Sequence, residues 1–381
     1  DESIPRTTIG AQELILDLLK ERAETGRIYL MNIDHCNSHS SFKDKVNMSN
    51  LCQEITLPTE PIQHIDGDGE IALCILSAIN VGKIRDLNDL EELCDLSVRG
   101  LEELIDYQGY PVKAAYNSTT KRRSLGIGYI GLAHYLAKHG ENYGDVGAWK
   151  LVHQLTEAFQ YYLLRSSNKI AQEKGKCEYF DRTKYSEGIL PIDTYKKDVD
   201  EIVPNDLSFD WGSLREDILL HGLRHSTLSA QMPSESSSVV SNATNGIEPP
   251  RDYLSIKKSK KGPLKQVVPS YSTLKNNYTL LWDMPDNKGY VNIVAVMQKF
   301  FDQAISGNWS YNPEHYPDNE VPVSEMAKDF LTTYKYGWKT SYYQNTNDMK
   351  TDEVEEEKPK LESLIAELSD VKEEECDSCA I

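Results

Sequence analysis

Three short patterns in this sequence set reactive side chains at spacings that chemistry can use. Asn50-Leu51-Cys52-Gln53-Glu54 places an amide, a thiol and a carboxylate at alternate positions. In an extended strand all three point to one side. A thiol flanked by an amide and an acid can combine hydrogen abstraction, hydrogen bonding and base chemistry. The plainer alternative is a strand with a buried cysteine and exposed neighbours. Cys376 and Cys379 form C-x-x-C. No second such pair and no His pair accompanies it, so it is half a zinc site, and no metal is expected. The reading that remains is a redox dithiol on a tether, which raises its effective concentration at a nearby site. The acidic neighbours Glu373, Glu374, Glu375 and Asp377 should raise the thiol pKa. Tyr342-Tyr343 sets two phenols side by side. Stacked phenols can pass an electron and a proton, although with 22 tyrosines an accidental pair is expected, and Tyr161-Tyr162 is one.

Other patterns are more ambiguous. Met232 to Ser238 offers the hydroxyls of Ser234, Ser236, Ser237 and Ser238 beside Glu235. If a helix begins near Ser236, its positive end would hold a phosphate; otherwise this is a solvated loop. Gly126-Ile127-Gly128-Tyr129-Ile130-Gly131 fits G-x-G-x-x-G, but Lys121 to Ser124 precede it rather than an apolar strand. Close backbone packing is the preferred reading over a dinucleotide site. Cys74, inside Ile71 to Leu76, reads as a core thiol.

Behind these residues stand the elements that must position them. Helical periodicity covers 11–25, closed by Gly26, and recurs over 87–106, 132–139, 152–174, 211–220, 290–306 and 324–337. Strand signals appear at 27–31 and 278–282, while 70–81 reads as strand or buried helix. The polar stretches 32–50 and 226–245 read as loops, the second at the surface. From Thr351 to Ile381 twelve acidic residues face three lysines, a charge of −9, which describes a solvated mobile arm. A length of 381 residues with 39% hydrophobic content supports a sizeable core. A net charge of −19 argues against nucleic acid or an anionic membrane as partner. No apolar run approaches the roughly 20 residues of a membrane span. Seven irregularly spaced cysteines fit a reducing compartment, so a cytoplasmic location is expected.

Taken together, these segments resemble the large, alpha subunit of aerobic class I ribonucleotide reductase. The stretches that carry the likeness include Ala23 to Tyr29, Asp34 to Asn37, Ser49 to Ile55, Glu70 to Ser77, Arg122 to Gly128, Gly188 to Pro191, Met232 to Pro250 and Tyr342 to Thr346. The resemblance implies an α/β fold. Residues 1–348 would be the second half of a ten-stranded α/β barrel with a central finger loop, helices outside, and 349–381 a flexible redox tail. It implies that Cys52 becomes a thiyl radical abstracting the ribose 3′ hydrogen, that Glu54 takes the 3′-hydroxyl proton, and that Asn50 binds substrate. Cys74 would be one of two thiols that reduce the 2′ carbon. Tyr342 and Tyr343 would relay the radical. Ser234, Glu235, Ser236 and Ser237 would hold the substrate diphosphate, and Cys376 and Cys379 would re-reduce the active-site disulfide.

The resemblance also implies partners. A small subunit would supply the radical from its own di-iron tyrosyl centre, with no cofactor bound directly by this chain. Thioredoxin or glutaredoxin would reduce the tail. ATP and dNTP effectors would bind mainly an N-terminal half that this sequence lacks, along with the partner thiol of Cys74. The expectation is therefore the C-terminal piece of a split large subunit, inactive without its partner chains, as in an interrupted phage gene. The alternative is a non-catalytic remnant that binds reductase subunits. A nicotinamide oxidoreductase using Gly126 to Gly131 is a weaker third reading.

Overall fold

A computed structural model describes residues 4–64, 67–259 and 262–347. Cys376, Cys379 and the expected acidic arm lie outside the described residues. The body is α/β. Its strands are β1 (Leu30–Met31), β2 (Leu76–Asn80), β3 (Gly126–Ile130), β4 (Leu254–Ser259), β5 (Gly262–Val267), β6 (Trp309–Tyr311), β7 (Thr340–Ser341) and β8 (Gln344–Thr346). They form four two-stranded pairs: β1 with β7 and β4 with β5 antiparallel, β2 with β3 and β6 with β8 parallel. No closed barrel is present among the described residues.

Backbone hydrogen bonds beyond the regular ladders extend the parallel pairs. Ile127 bridges Ser229 and Gln231 bridges Ile305, both parallel. The amide of Ala230 donates to Ile127 O, that of Gln303 to Ser229 O, and that of Ser306 to Gln231 O. On the far side Tyr342 donates to Gly307 O and Trp309 to Tyr343 O. Residues 76–80, 126–130, 227–231, 303–311 and 340–346 therefore run as five neighbouring parallel segments. Parallel neighbours need crossover connections, and the helices supply them: Asp89–Tyr107 and Lys113–Arg122 between the first two, Val146–Lys174 and Trp211–His221 between the second and third, and Lys288–Gln298 before the fourth. The helix Val323–Lys335 precedes the fifth.

The sequence expectation holds for Ala11–Thr25, where Gly26 at φ 68° ends the helix, and for Leu132–His139. Helices also stand where they were expected over 87–106, 152–174, 211–220 and 324–337, with shifted ends; other expectations are corrected. The stretch 32–50 contains the helix Ile33–Ser38. The strand expected at 27–31 is confined to β1, and 278–282 forms no strand but enters a short 3₁₀ turn, Leu281–Asp283. The helix expected over 290–306 stops at Gln298. Asp302 is the reason: its buried carboxylate accepts the amides of Leu228 and Ser229 and the Tyr185 hydroxyl, which draws 303–306 out straight beside 229–231.

The Ser- and Thr-rich segment is the largest reversal. Ser226, Thr227, Ser229 and Gln231 are buried, not at the surface. Three of the four have partners inside the protein, Ser226 in Ser124, Ser229 in Asp302 and Gln231 in both backbone groups of Tyr129, while the Thr227 hydroxyl has none among the described residues. Buried polar groups are tolerated when paired in this way.

The G-x-G-x-x-G match proves to be a strand itself, β3. A Cβ at Gly126 would lie 2.7 Å from Leu76 Cδ2 and 3.0 Å from Ile55 Cδ1, and one at Gly128 would lie 2.7 Å from the Ala230 carbonyl. These glycines let neighbouring segments approach, as the packing reading expects. Among the described residues no helix is long and apolar enough to cross a membrane, and no cluster of His, Cys, Asp or Glu is arranged to hold a metal.

Candidate active site

Cys52 sits on a turn, not on the extended strand its alternating pattern suggested. The amide of Gln53 donates to Asn50 O, that of Asn50 to Ile55 O, and that of Ile55 to Asn50 Oδ1. Gln53 takes the left-handed conformation, φ 73°, which turns the chain between the thiol and the acid. Leu51 at the tip is exposed, Cys52 is half-buried and Glu54 is buried. The turn is held from beneath by the 303–306 segment: Ala304 N–H donates to Glu54 O at 3.0 Å, and the Ser306 hydroxyl reaches both Cys52 O and Glu54 Oε2, the latter at 3.2 Å.

Cys74 arrives from a different direction. The amide of Ile71 donates to Ala114 O, and the buried Arg122 guanidinium grips both oxygens of Glu70, at 2.8 and 2.7 Å, and also Asp44. A buried bidentate pair of this kind fixes geometry. It steadies the stretch that carries Cys74 to the site. The Asn50 amide lies 3.7 Å from Cys74 Sγ. Cys74 is exposed, contrary to the core reading; of its neighbours Ile75 and Ile79 face inward, while Cys74 and Leu76 face out at the head of β2.

Tyr342 closes the other side. Its hydroxyl lies 3.8 Å from Cys52 Sγ, and its ring centroid lies 4.1 Å from that of Tyr343. Tyr29 packs against both, at 4.7 Å from Tyr342 and edge-on at 5.4 Å from Tyr343. The three phenols are posed by Arg22, which is buried and donates to the carbonyls of Tyr342 at 2.8 Å, Tyr343 at 3.1 Å and Ile28. Its guanidinium stacks 4.5 Å from the Trp309 ring. Lys339, also buried, anchors the same strand by donating to the carbonyls of Phe301, Asp302 and Gln303.

Burial sets the protonation states. It raises the Glu54 carboxyl above the ordinary range, opposed by hydrogen bonds from Asn50 and Ser306. Desolvation, with the Glu54 charge added, pushes the Cys74 thiol up to about 11. Tyr342 is raised, first by burial and then by its contacts with Tyr343 and Cys52. Tyr343 is lowered by its hydrogen bonds to Tyr29 and Tyr342. At neutral pH Tyr342 and Cys74, both raised, are protonated and hold their hydrogens.

The structure thus brings together Asn50, Cys52, Glu54, Cys74, Tyr342 and Tyr343 from three distant parts of the sequence. Ser234, Glu235, Ser236 and Ser237 stand just past the third parallel segment, where a short helix, Glu235–Val240, begins at the expected position with Ser234 as its cap residue. Arg22, Tyr29 and Ser306 were not singled out from sequence. Tyr29 lies inside a stretch that carried the family likeness; nothing local marks Arg22 or Ser306.

Comparison with known proteins is consistent with this geometry. The family described as "Ribonucleotide reductase, barrel domain" matches residues 1–277 and 271–344. The chain is 58% identical over 360 residues to the ribonucleoside-diphosphate reductase subunit alpha of Haemophilus influenzae, 93% of this chain and 48% of that protein. It is 54% identical over 366 residues to ribonucleoside-diphosphate reductase 1 subunit alpha of Escherichia coli, 95% and 48% respectively. Against the alpha subunit of Enterobacteria phage T4 it is 43% identical over 374 residues, 96% and 49% respectively. The chain spans about half the length of these relatives.

Proposed function

The chain belongs to the ribonucleotide reductase barrel family, and from that premise we propose that it is the C-terminal part of an alpha subunit that reduces ribonucleoside diphosphates to 2′-deoxyribonucleoside diphosphates. The observation that carries the proposal is the approach of the Tyr342 hydroxyl to Cys52 Sγ, with Glu54 and Cys74 on the same turn's surroundings.

In this reading the small subunit's radical centre is passed inward through Tyr343 and Tyr342: Tyr342 takes the hydrogen atom of the Cys52 thiol, and an electron travels outward to the small subunit. The thiyl takes the 3′ hydrogen of the bound ribose. Glu54, whose burial makes it a stronger base than an exposed carboxylate, takes the 3′-hydroxyl proton. The 2′-hydroxyl leaves as water. Two electrons then come from Cys74 and a second thiol on the N-terminal chain, which are left as a disulfide. Asn50 and the 234–237 turn bind the substrate, the latter at its diphosphate. Cys376 and Cys379 reduce the disulfide and are themselves reduced by thioredoxin or glutaredoxin. Effector nucleotides bind the N-terminal chain.

The five parallel segments are then one half of the ten-stranded barrel. The other half, from the partner chain, would cover Leu51 and Cys74, which are exposed in this chain. A dry pocket suits radical chemistry. The test is reconstitution. The chain is mixed with an N-terminal alpha chain and a small subunit, and CDP reduction is assayed. Turnover that needs all three components and vanishes in Cys52→Ala is expected. Turnover that survives Cys52→Ala would refute the assigned roles.

A further inference from the structure

The Ser306 hydroxyl faces two acceptors and carries one proton. It lies against the carbonyl oxygen of Cys52 and 3.2 Å from Glu54 Oε2. Ser306 is buried, and its own backbone is fixed by donation to Gln231 O, while the neighbouring Ala304 amide holds Glu54 O. Both acceptors lie within reach of this one hydroxyl. The hydroxyl must therefore choose between them.

We infer that Ser306 is a positioning residue that couples the protonation state of Glu54 to the backbone carbonyl of Cys52. When Glu54 is protonated, its carboxyl O–H donates to Ser306 Oγ, and the Ser306 proton goes to Cys52 O. When Glu54 is ionised, it has no proton to give and becomes the stronger acceptor. The Ser306 hydroxyl then rotates to Oε2, and the Cys52 carbonyl loses that donor. No bond to hydrogen breaks at Ser306; only its direction changes. The consequence is that proton uptake by the acid tightens the turn carrying the thiol, two residues away.

The inference rests on the reading of Glu54 as a base, but it concerns groups of this chain alone. The titratable groups facing Glu54 are the thiols of Cys52 and Cys74, with Tyr342 beyond Cys52. Burial raises the Cys74 thiol to about 11, far above a carboxyl titration, so it stays neutral through the window of interest. The Asn50 amide, which also bonds Glu54, does not titrate.

Cys52-Gln53 is the only Cys-Gln pair in the sequence. Labelling the full chain with ¹³C-carbonyl cysteine and ¹⁵N-glutamine therefore gives a single carbonyl–amide correlation, which reports on Cys52 O. Side-chain ¹³C-labelled glutamate, assigned by Glu54→Gln, follows the carboxyl. The Cys52 carbonyl shift is expected to move with pH at the midpoint of Glu54, to lie flat in Glu54→Gln and in Ser306→Ala, and to return in Ser306→Thr. Ser306→Ala should also raise the Glu54 midpoint, because the ionised form loses a donor. A Cys52 carbonyl that ignores the Glu54 titration overturns the coupling, as does one that follows pH equally in Ser306→Ala. If Ser306→Ala does not fold, the comparison of the native chain with Glu54→Gln decides: a response that persists without the acid refutes it. None of these readings needs substrate or partner chains. A coupled chain that reduces no CDP would sink the proposed function and leave this inference standing.

Discussion

The Tyr342 hydroxyl points at the Cys52 sulfur across 3.8 Å, although 290 positions separate the two residues in the sequence. That distance is reached because the turn carrying the thiol and the strand carrying the phenol are tied to the same 303–307 segment, the first through Ala304 and Ser306 and the second through Gly307. Replacing Tyr342 by Phe removes the hydroxyl and keeps the ring contacts with Tyr29 and Tyr343. Reduction of CDP by the reconstituted assembly is expected to fall to background while the thermal midpoint moves by only about 2 °C. Retained turnover would remove Tyr342 from the relay.

Glu54 gives a stability prediction that needs no activity. Its carboxyl is raised above 4.5 in the folded chain, mainly by burial. The folded state therefore keeps a proton that the unfolded state has released. The stabilisation is whole below the unfolded value and is lost as pH rises through the folded one. Glu54→Gln should flatten the pH dependence of denaturant midpoints from about pH 4.5 upward and be relatively more stable near neutrality. A native-like slope in the variant would show that the dependence arises elsewhere.

Arg22 is expected to matter more than its place on an amphipathic helix suggests. Arg22→Met keeps much of the buried stem but orphans the carbonyls of Ile28, Tyr342 and Tyr343. A loss of about 2–4 kcal/mol in urea unfolding is expected. A cost below about 0.5 kcal/mol would mean that the carbonyls find other donors.

Gly128→Ala tests the packing role of the glycine pair. The added methyl would press on the Ala230 carbonyl at 2.7 Å, and backbone cannot swing aside as a side chain can. Destabilisation of about 1–3 kcal/mol is expected, without any nucleotide-binding change in a fluorescence titration with NADH. NADH binding by the native chain would revive the dinucleotide reading.

How much of this was legible in the sequence depends on how far apart the cooperating residues lie. The helices Ala11–Thr25 and Leu132–His139 are local matters of period and a terminal glycine, and they were read as observed. The chemistry at 50, 52 and 54 was visible as residue types, but the geometry was not: alternation suggested a strand, whereas Gln53 in the left-handed region makes a turn. The burial of 226–231 was hidden because composition cannot show that a side chain has a partner about a hundred residues away, as Ser226 has in Ser124 and Gln231 in Tyr129. Arg22 and Ser306 escaped for the same reason. Each acts through partners more than 250 positions distant, and neither belongs to a short motif.

The reach of Arg22 has a temporal meaning for a chain made from one end. The guanidinium is synthesised 320 residues before the Tyr342 carbonyl it holds. At about 5–20 residues per second, the ribosome takes tens of seconds to supply the second member. Throughout that interval Tyr29 waits without its two partner rings, and the Cys52 thiol has no Tyr342 hydroxyl beside it. The contact between thiol and phenol is thus a late event, made only when the last strands of the chain have been laid down.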